Sequence, residues 1–509
     1  MERCDATFAQ QWPRKQSTIP LTFFTFLFFA LFYGITLRAE VTLPAIFGDH
    51  MVLQQGMTLP VWGKATPGEA ISVSIAGRTG QALAAPDGSW RVTLRPIPYA
   101  DIPRTLLVQG KNQIEIHDVL VGDVWICAGE GNMEFPLSDA TGGKDSQGEM
   151  SDHSLRFFYS KNNEALGPDH QYPGHWVIST PLDSPNFSAV GYFFARDLRS
   201  ARHLPIGMIQ CTTSASPAQA WMSHEGLSAP PSFSNYLTQS ALRLGDHKTP
   251  SILFKQMICP LIPYAMTGVI WYQGESNEGM DTLEYRRLFP RLIRDWRSQW
   301  RSGPFPFFFV QSAGFGDEQG TVVESFKGTN HQLRRGLPWL REGAACALTL
   351  PNTGMAIATD LGLSDDQQPP DKLDIGRRLA LLARQGVYGE EIVDAGPTYH
   401  SMRIEGGKVR VSFKNSKSGL TLGTPHSQRN SLSPMLSTRL MGFAMAGANK
   451  KWFPAGGLIE GQSVVLSSDA VPYPKAVRYN WKGFPNGNLY NKEGLPAAPF
   501  RTDTDQPEE

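Results

Sequence analysis

The sequence predicts an α/β domain, a parallel sheet flanked by helices, standing between an N-terminal and a C-terminal β-rich domain. Three observations carry this prediction. From Val41 to about Leu120, and again from Val393, apolar and polar residues alternate in short runs broken by Gly, Pro and Asp, the pattern of half-buried antiparallel strands. Between those regions the runs Val124–Cys127, Ile206–Ile209, Val269–Tyr272 and Phe307–Val310 are apolar throughout, as strands buried on both faces are. Tyr285, Phe289, Leu292, Trp296 and Trp300 then recur every three or four residues, which places them on one face of a helix.

At the start of the chain, Arg14 and Lys15 precede an apolar run from Leu21 to Ile35, and Leu37-Arg38-Ala39 offers a small-residue cleavage site. Residues 1–39 are therefore read as a signal peptide. The protein is expected to be exported to a periplasmic, extracellular or lumenal space, with no stable membrane association after cleavage. A retained anchor helix is the rival reading of the same run. Residues 40–121 are expected to form a β-sandwich domain: Ile71–Ile75 and Trp90–Leu94 alternate strictly, Asp87-Gly88 marks a turn, and Gln113–Val119 closes the set. Residues 122–392 form the α/β domain. The polar face of its first helix carries Arg286, Arg287, Arg291, Arg294 and Arg297, a row expected to be solvated, and a second helix runs from about Asp374 to Gln385. Residues 393–501 return to strands at Lys408–Phe413, Ser463–Ser467 and Ala476–Trp481. Asn486–Arg501 is expected to pack back on the body as an ordered loop, and the acidic tail Thr502–Glu509 to fray.

Composition narrows the function. The chain has 509 residues, of which 41% are hydrophobic and 18% charged, as in folded globular proteins. Lys plus Arg equals Asp plus Glu at 47 each, so no global field attracts nucleic acid or an anionic membrane. Beyond Cys4, the cysteines at 127, 211, 259 and 346 form no CxxC pair, so neither a zinc site, a redox site nor a cofactor is expected.

In an open α/β sheet the ligand crevice lies at the C-terminal ends of the strands. Four polar stretches fall there: Ala128-Gly-Glu-Gly-Asn132, Cys211-Thr-Thr-Ser-Ala-Ser-Pro217, Gln273-Gly-Glu-Ser-Asn277 and Asp365-Asp-Gln-Gln-Pro-Pro370. The first is a glycine-bracketed elbow of the kind that presents a nucleophilic serine in many hydrolases, but its centre is Gly131.

With these stretches in hand, the chain resembles the sialate O-acetylesterase family of carbohydrate esterases, within the SGNH hydrolases. The resemblance runs through GDHMVLQQ (Gly48–Gln55), PVWGKATPGE (Pro60–Glu69), VGDVWICAGEGNMEF, VIWYQGESN (Val269–Asn277), LPNTGMA (Leu350–Ala356), PPDKLDIGRRLAL (Pro369–Leu381) and NLYNKEGLPAAPFRTD (Asn488–Asp503). It implies an SGNH-hydrolase-type sheet and the removal of O-acetyl groups from sugars. A serine attacks the acetyl carbonyl, a histidine takes its proton and an aspartate orients the histidine. Backbone amides, a glycine and an asparagine stabilise the oxyanion. The family carries these groups in G-Q-S-N-M, T-S-W-G-G-T-P, Q-G-E-S-N and D-x-H-P.

Carried onto this sequence, the set is partial. Asn277 and Asp366 are retained, but Gly131 holds the nucleophile position, Ser214-Ala215 the glycine pair and Gln368 the histidine position. Losing a triad serine or histidine costs about a millionfold, so serine-esterase activity is expected to be lost or strongly reduced. Ser276 belongs to the intact family motif and Cys127 to the core, so neither is read as a substitute nucleophile. Glu130 stands where the family has glutamine and, with Asp366, could form a water-activating carboxylate pair. His247 and His331, the histidines nearest in sequence, are read as surface or packing residues. The competing reading is a non-catalytic glycan-binding protein in which Glu130, Asn132, Gln273 and Glu275 hold sugar hydroxyls. A purely structural subunit is a third. In either of the first two the expected partner is an acetylated carbohydrate or glycan.

Overall fold

A computed structural model describes residues 40–159, 173–228, 231–239, 247–278, 282–316, 336–425 and 438–505. The signal segment and His331 lie outside the described residues.

The N-terminal alternation becomes two sheets. Strand Leu59–Lys64 pairs antiparallel with Ser89–Leu94, and Ala70–Ile75 pairs with both Arg78–Leu83 and Ala100–Gln109. Ile71, Val73 and Ile75 of one sheet and Trp90, Val92 and Leu94 of the other point into one shared core.

One strand of 17 residues, Gln113–Gly129, links this region to the next. Its first half pairs antiparallel with Ala100–Gln109 and alternates between exposed and buried. From Val119 onward every residue is buried, because the strand has become the centre of a parallel sheet covered on both faces. The expected division between residues 121 and 122 thus falls inside a single unbroken strand.

The central sheet has the order Thr353–Ile357, Phe307–Gln311, Gly268–Tyr272, Gln113–Gly129, Ile206–Thr212, Asp152–Tyr159 and His175–Ser179. All neighbours run parallel except the last pair. Side chains on alternate positions enter opposite cores. Val269, Trp271, Phe307 and Phe309 meet Leu288, Phe289, Leu292 and Trp296 of the Thr282–Trp300 helix. Trp125, Cys127, Ile270 and Phe308 meet the helices Ala189–Arg202 and Leu373–Gly386. Register fixes where the strands stop: Tyr272 and Thr212 both sit level with Gly129, so three strands end side by side.

The C-terminal region is antiparallel, and the Lys408–Phe413 alternation buries Val409, Val411 and Phe413 against Val464 and Leu466. Asn486–Arg501 does pack back on the body, but it also contributes the short strands Leu489–Asn491 and Phe500–Arg501.

Two expectations need correction. Only Arg287 and Arg294 of the arginine row are exposed. Arg286 pairs with Glu342 at 3.2 Å, Arg291 donates to the Gly226 carbonyl, and Arg297 reaches the carbonyls of Phe305, Pro351 and Asn352. The row ties loop carbonyls to the helix. The tail, for its part, does not fray at Thr502. Asp503 accepts two hydrogen bonds from Arg478, at 2.8 and 2.9 Å, and pairs with Arg501, which extends order through residue 505.

Candidate active site

The elbow is built by close backbone approach. Gly129 has φ +143°, and a Cβ there would lie 2.1 Å from the Tyr272 carbonyl oxygen, so only glycine fits. The Glu130 N–H donates to that same carbonyl at 3.0 Å, and the chain then turns into the single helical turn Gly131–Glu134.

Gly131 meets the other two altered positions. A Cβ on Gly131 would lie 2.1 Å from Gln368 Nε2 and 3.3 Å from Ser214 Oγ. The three residues to which the resemblance assigns the nucleophile, histidine and glycine positions, scattered over more than two hundred residues, thus lie around one point, as such groups must in a working esterase. What stands at that point is a glycine, a primary amide and a hydroxyl.

Each loop is fixed by its own chemistry. Asp366 Oδ1 accepts the backbone N–H of Gln368 at 2.7 Å, a local turn that presents the exposed Gln368 side chain over Gly131. On the next loop Ala215 adopts φ +55°, in the left-handed region. The backbone thus keeps the conformation suited to the family's glycine, although a methyl group now occupies it. Ser214 is exposed beside it and donates to Glu134 Oε2 at 2.6 Å. Asn277 is buried: its Oδ1 accepts from the Ala218 N–H and from Gln273 Nε2, both at 2.8 Å, and its Nδ2 donates to Gln219 at 3.0 Å.

The residues expected to hold sugar hydroxyls form instead a buried layer beneath this surface. Glu130 Oε1 accepts the N–H groups of Gly274 at 2.9 Å and Ser276 at 3.1 Å, and its other oxygen takes the Ser276 hydroxyl. Gln273 donates to Ser216 O and Asn277 Oδ1, while its own oxygen accepts from Tyr285. Asn132 donates to Glu275 Oε1 at 2.9 Å and to the Gln367 carbonyl, and accepts Lys372 Nζ at 2.6 Å. With these bonds made inside the protein, the four residues support the loops. Their role is corrected from direct sugar contact to a scaffold.

This layer is electrostatically strained. Burial pushes the Glu275 carboxyl up to about 8, and the Glu130 charge adds to the effect. Glu275 Oε2 is buried without a hydrogen-bond partner. Burial pushes Lys372 down to about 7 against the pull of Glu275, Asp366 and Asp371. Its ammonium also faces the ring of Phe135 at 4.7 Å. Glu130 is wholly engaged in this layer, which removes it from the carboxylate pair considered with Asp366.

Sequence reading missed Lys372 and Glu134. Lys372 lay in view next to the second helix, but nothing in its local pattern sends the side chain inward. Glu134 follows Gly131 by three residues, and a single helical turn brings such positions to one face. Cys127 is fully buried and its thiol is pushed far up by burial, which leaves it unreactive. Among the described residues, no cluster of His, Cys, Asp and Glu could hold a metal ion, and no helix is long and apolar enough to cross a membrane.

Comparison with known proteins bears on the family and the fold. A family model described as carbohydrate esterase, sialic acid-specific acetylesterase, matches residues 121–380. The chain is 28% identical to human sialate O-acetylesterase over 507 residues, covering 89% of this chain and 90% of that protein. The mouse enzyme is 26% identical over 524 residues, with 89% and 92% covered. Among solved structures, a carbohydrate acetylesterase from Xanthomonas citri is 36% identical with a TM-score of 0.79, covering 91% of this chain and all of that one.

Proposed function

Because the chain belongs to the sialic acid-specific acetylesterase family of carbohydrate esterases, we propose that it is an exported member that no longer runs the family's serine–histidine chemistry. Its ordinary esterase activity is lost or reduced by orders of magnitude, and its crevice takes an acetylated carbohydrate. One observation carries the reading. The point where nucleophile and base should meet holds Gly131 and the Gln368 amide, with 2.1 Å between Nε2 and the place of a Cβ at 131. A primary amide cannot accept a proton at neutral pH, and glycine has none to give.

The test is direct hydrolysis. Purified protein is expected to cleave a chromogenic acetate and acetylated sugars far below the roughly 10 per second of a typical enzyme. A wild-type rate in that ordinary range overturns the proposal. Binding is measured separately, by calorimetry with acetylated and free sugars. Heat on binding the acetylated sugar supports the retained crevice, and silence towards both sugars favours a structural role. Export is checked by the mass of the secreted chain, expected to begin after Ala39.

A further inference from the structure

We propose that Ser214 and Glu134 form a relocated nucleophile and base at this site, and that whatever hydrolysis the protein performs runs through Ser214. This rests on the proposed loss of the serine–histidine pair, since it takes Gly131 and Gln368 as they are. Three observations converge on it.

The first is position. Ser214 Oγ lies 3.3 Å from where the Cβ of a residue-131 side chain would be, so its hydroxyl borders the volume that the lost hydroxyl would occupy. It is exposed at the C-terminal end of the Ile206–Thr212 strand, where this fold receives its ligands. The second is activation. Ser214 donates its proton to Glu134 Oε2 at 2.6 Å, within the reach a nucleophile and its base require. Glu134 is held on the helical turn that begins at Gly131, so both partners stand on backbone already shaped for catalysis. The third is charge stabilisation. Gln368 Nε2 lies 2.1 Å from the same Cβ point, so the side chain that cannot act as base places amide N–H donors beside the hydroxyl. In this arrangement the histidine position supplies an oxyanion donor, and the altered glycine loop supplies the nucleophile.

The chemistry balances without a further reactant. Ser214 Oγ bonds to the acetyl carbon as the carbonyl electron pair moves onto oxygen, and the Ser214 proton passes to Glu134. Collapse breaks the bond between the acyl carbon and the sugar oxygen, which takes the proton back from Glu134. Water then adds to the acetyl-Ser214 carbonyl, losing a proton to Glu134. Cleavage of the bond from the acyl carbon to Oγ returns that proton to Ser214 and releases acetic acid.

The experiment uses the whole secreted chain, p-nitrophenyl acetate for turnover and a fluorophosphonate as a covalent probe. Wild type is expected to turn over slowly above the buffer blank. S214A should fall to the blank, and E134Q should lose at least about tenfold, in line with the low end of general-base effects. Peptide mapping should find the phosphonate on Ser214 in wild type and nowhere in S214A. Ser214 is exposed, so its truncation is not expected to disturb folding; matched circular dichroism and melting curves check this for both variants. Turnover that survives S214A overturns the proposal. So does a wild type that neither exceeds S214A nor takes the label, and in that case the broader reading of a lost triad still stands. Fast wild-type turnover that survives S214A overturns both.

Discussion

At the scale of single residues, the layer beneath the site holds a carboxyl whose shifted acidity the sequence alone does not disclose. Glu130 accepts three hydrogen bonds from the Gly274 and Ser276 groups. Burial and the Glu130 charge push the neighbouring Glu275 carboxyl up to about 8. A carboxyl whose folded value is raised makes the folded state bind more protons than the unfolded chain between the two values. Its contribution to stability is therefore complete below about pH 4.3 and falls away as pH rises towards 8. E275Q keeps the acceptor for Asn132 and offers Glu130 an N–H, so it should match wild type in urea unfolding at pH 4.5. At pH 7.5 it should be more stable by on the order of 2 kcal/mol. Lys372, pushed down to about 7, acts in the opposite sense above that pH, where the unfolded chain binds the extra proton and stability rises. Parallel pH profiles for the two proteins contradict the raised Glu275 carboxyl.

At the scale of elements, three parallel strands that end in register gather the loops into one site. Residues 129, 212 and 272 sit side by side, so the turns that extend from them have no choice but to meet. The Ala215 turn keeps a left-handed backbone that costs an L-residue about 1–2 kcal/mol. A215G removes that strain at the cost of glycine's greater freedom in the unfolded chain. It should stabilise the protein by about 0.5–1 kcal/mol in chemical denaturation; a loss of stability shows that the methyl group has found packing of its own. Strands such as Val269–Tyr272 and the Trp296-bearing helix were legible because periodicity depends on the side chains of one element. Gly131 and Gln368 were singled out by the resemblance, since the residues flanking them keep the family's spacing. The inward turn of Lys372 and the bond from Ser214 to Glu134 were not legible, because each depends on two loops brought together by the fold. The same holds for Gln273 and Asn132, whose amides suit sugar hydroxyls or buried scaffolds equally well until their neighbours are known.

At the scale of the whole molecule, the C-terminal β region is locked to the active end of the central sheet. Arg341, almost wholly buried, donates to the carbonyls of Ser312 and Ala313 beyond one sheet strand and of Lys482 and Gly483 in the C-terminal region. Arg378 pairs with both oxygens of Asp360, which also accepts the Tyr490 hydroxyl at 3.0 Å. These bonds tie the described C-terminal residues to the segments that follow the central strands. R341A removes four hydrogen bonds, two of them to the buried Ser312 and Ala313 carbonyls, and should cost at least about 2 kcal/mol in denaturant unfolding, with earlier proteolysis in the C-terminal region. A loss below about 1 kcal/mol contradicts this tie. The frame is thus that of the carbohydrate esterase family, and the proposed loss of its chemistry turns on Gly131 and Gln368, with the altered Ser214-Ala215 loop beside them. The most direct measurement is the hydrolysis of p-nitrophenyl acetate by the double variant G131S/Q368H against wild type. The displaced Gln368 amide is the free end of an exposed side chain, so serine has room once it is replaced. The account predicts a gain of at least about a hundredfold; a folded double variant no faster than wild type would contradict it.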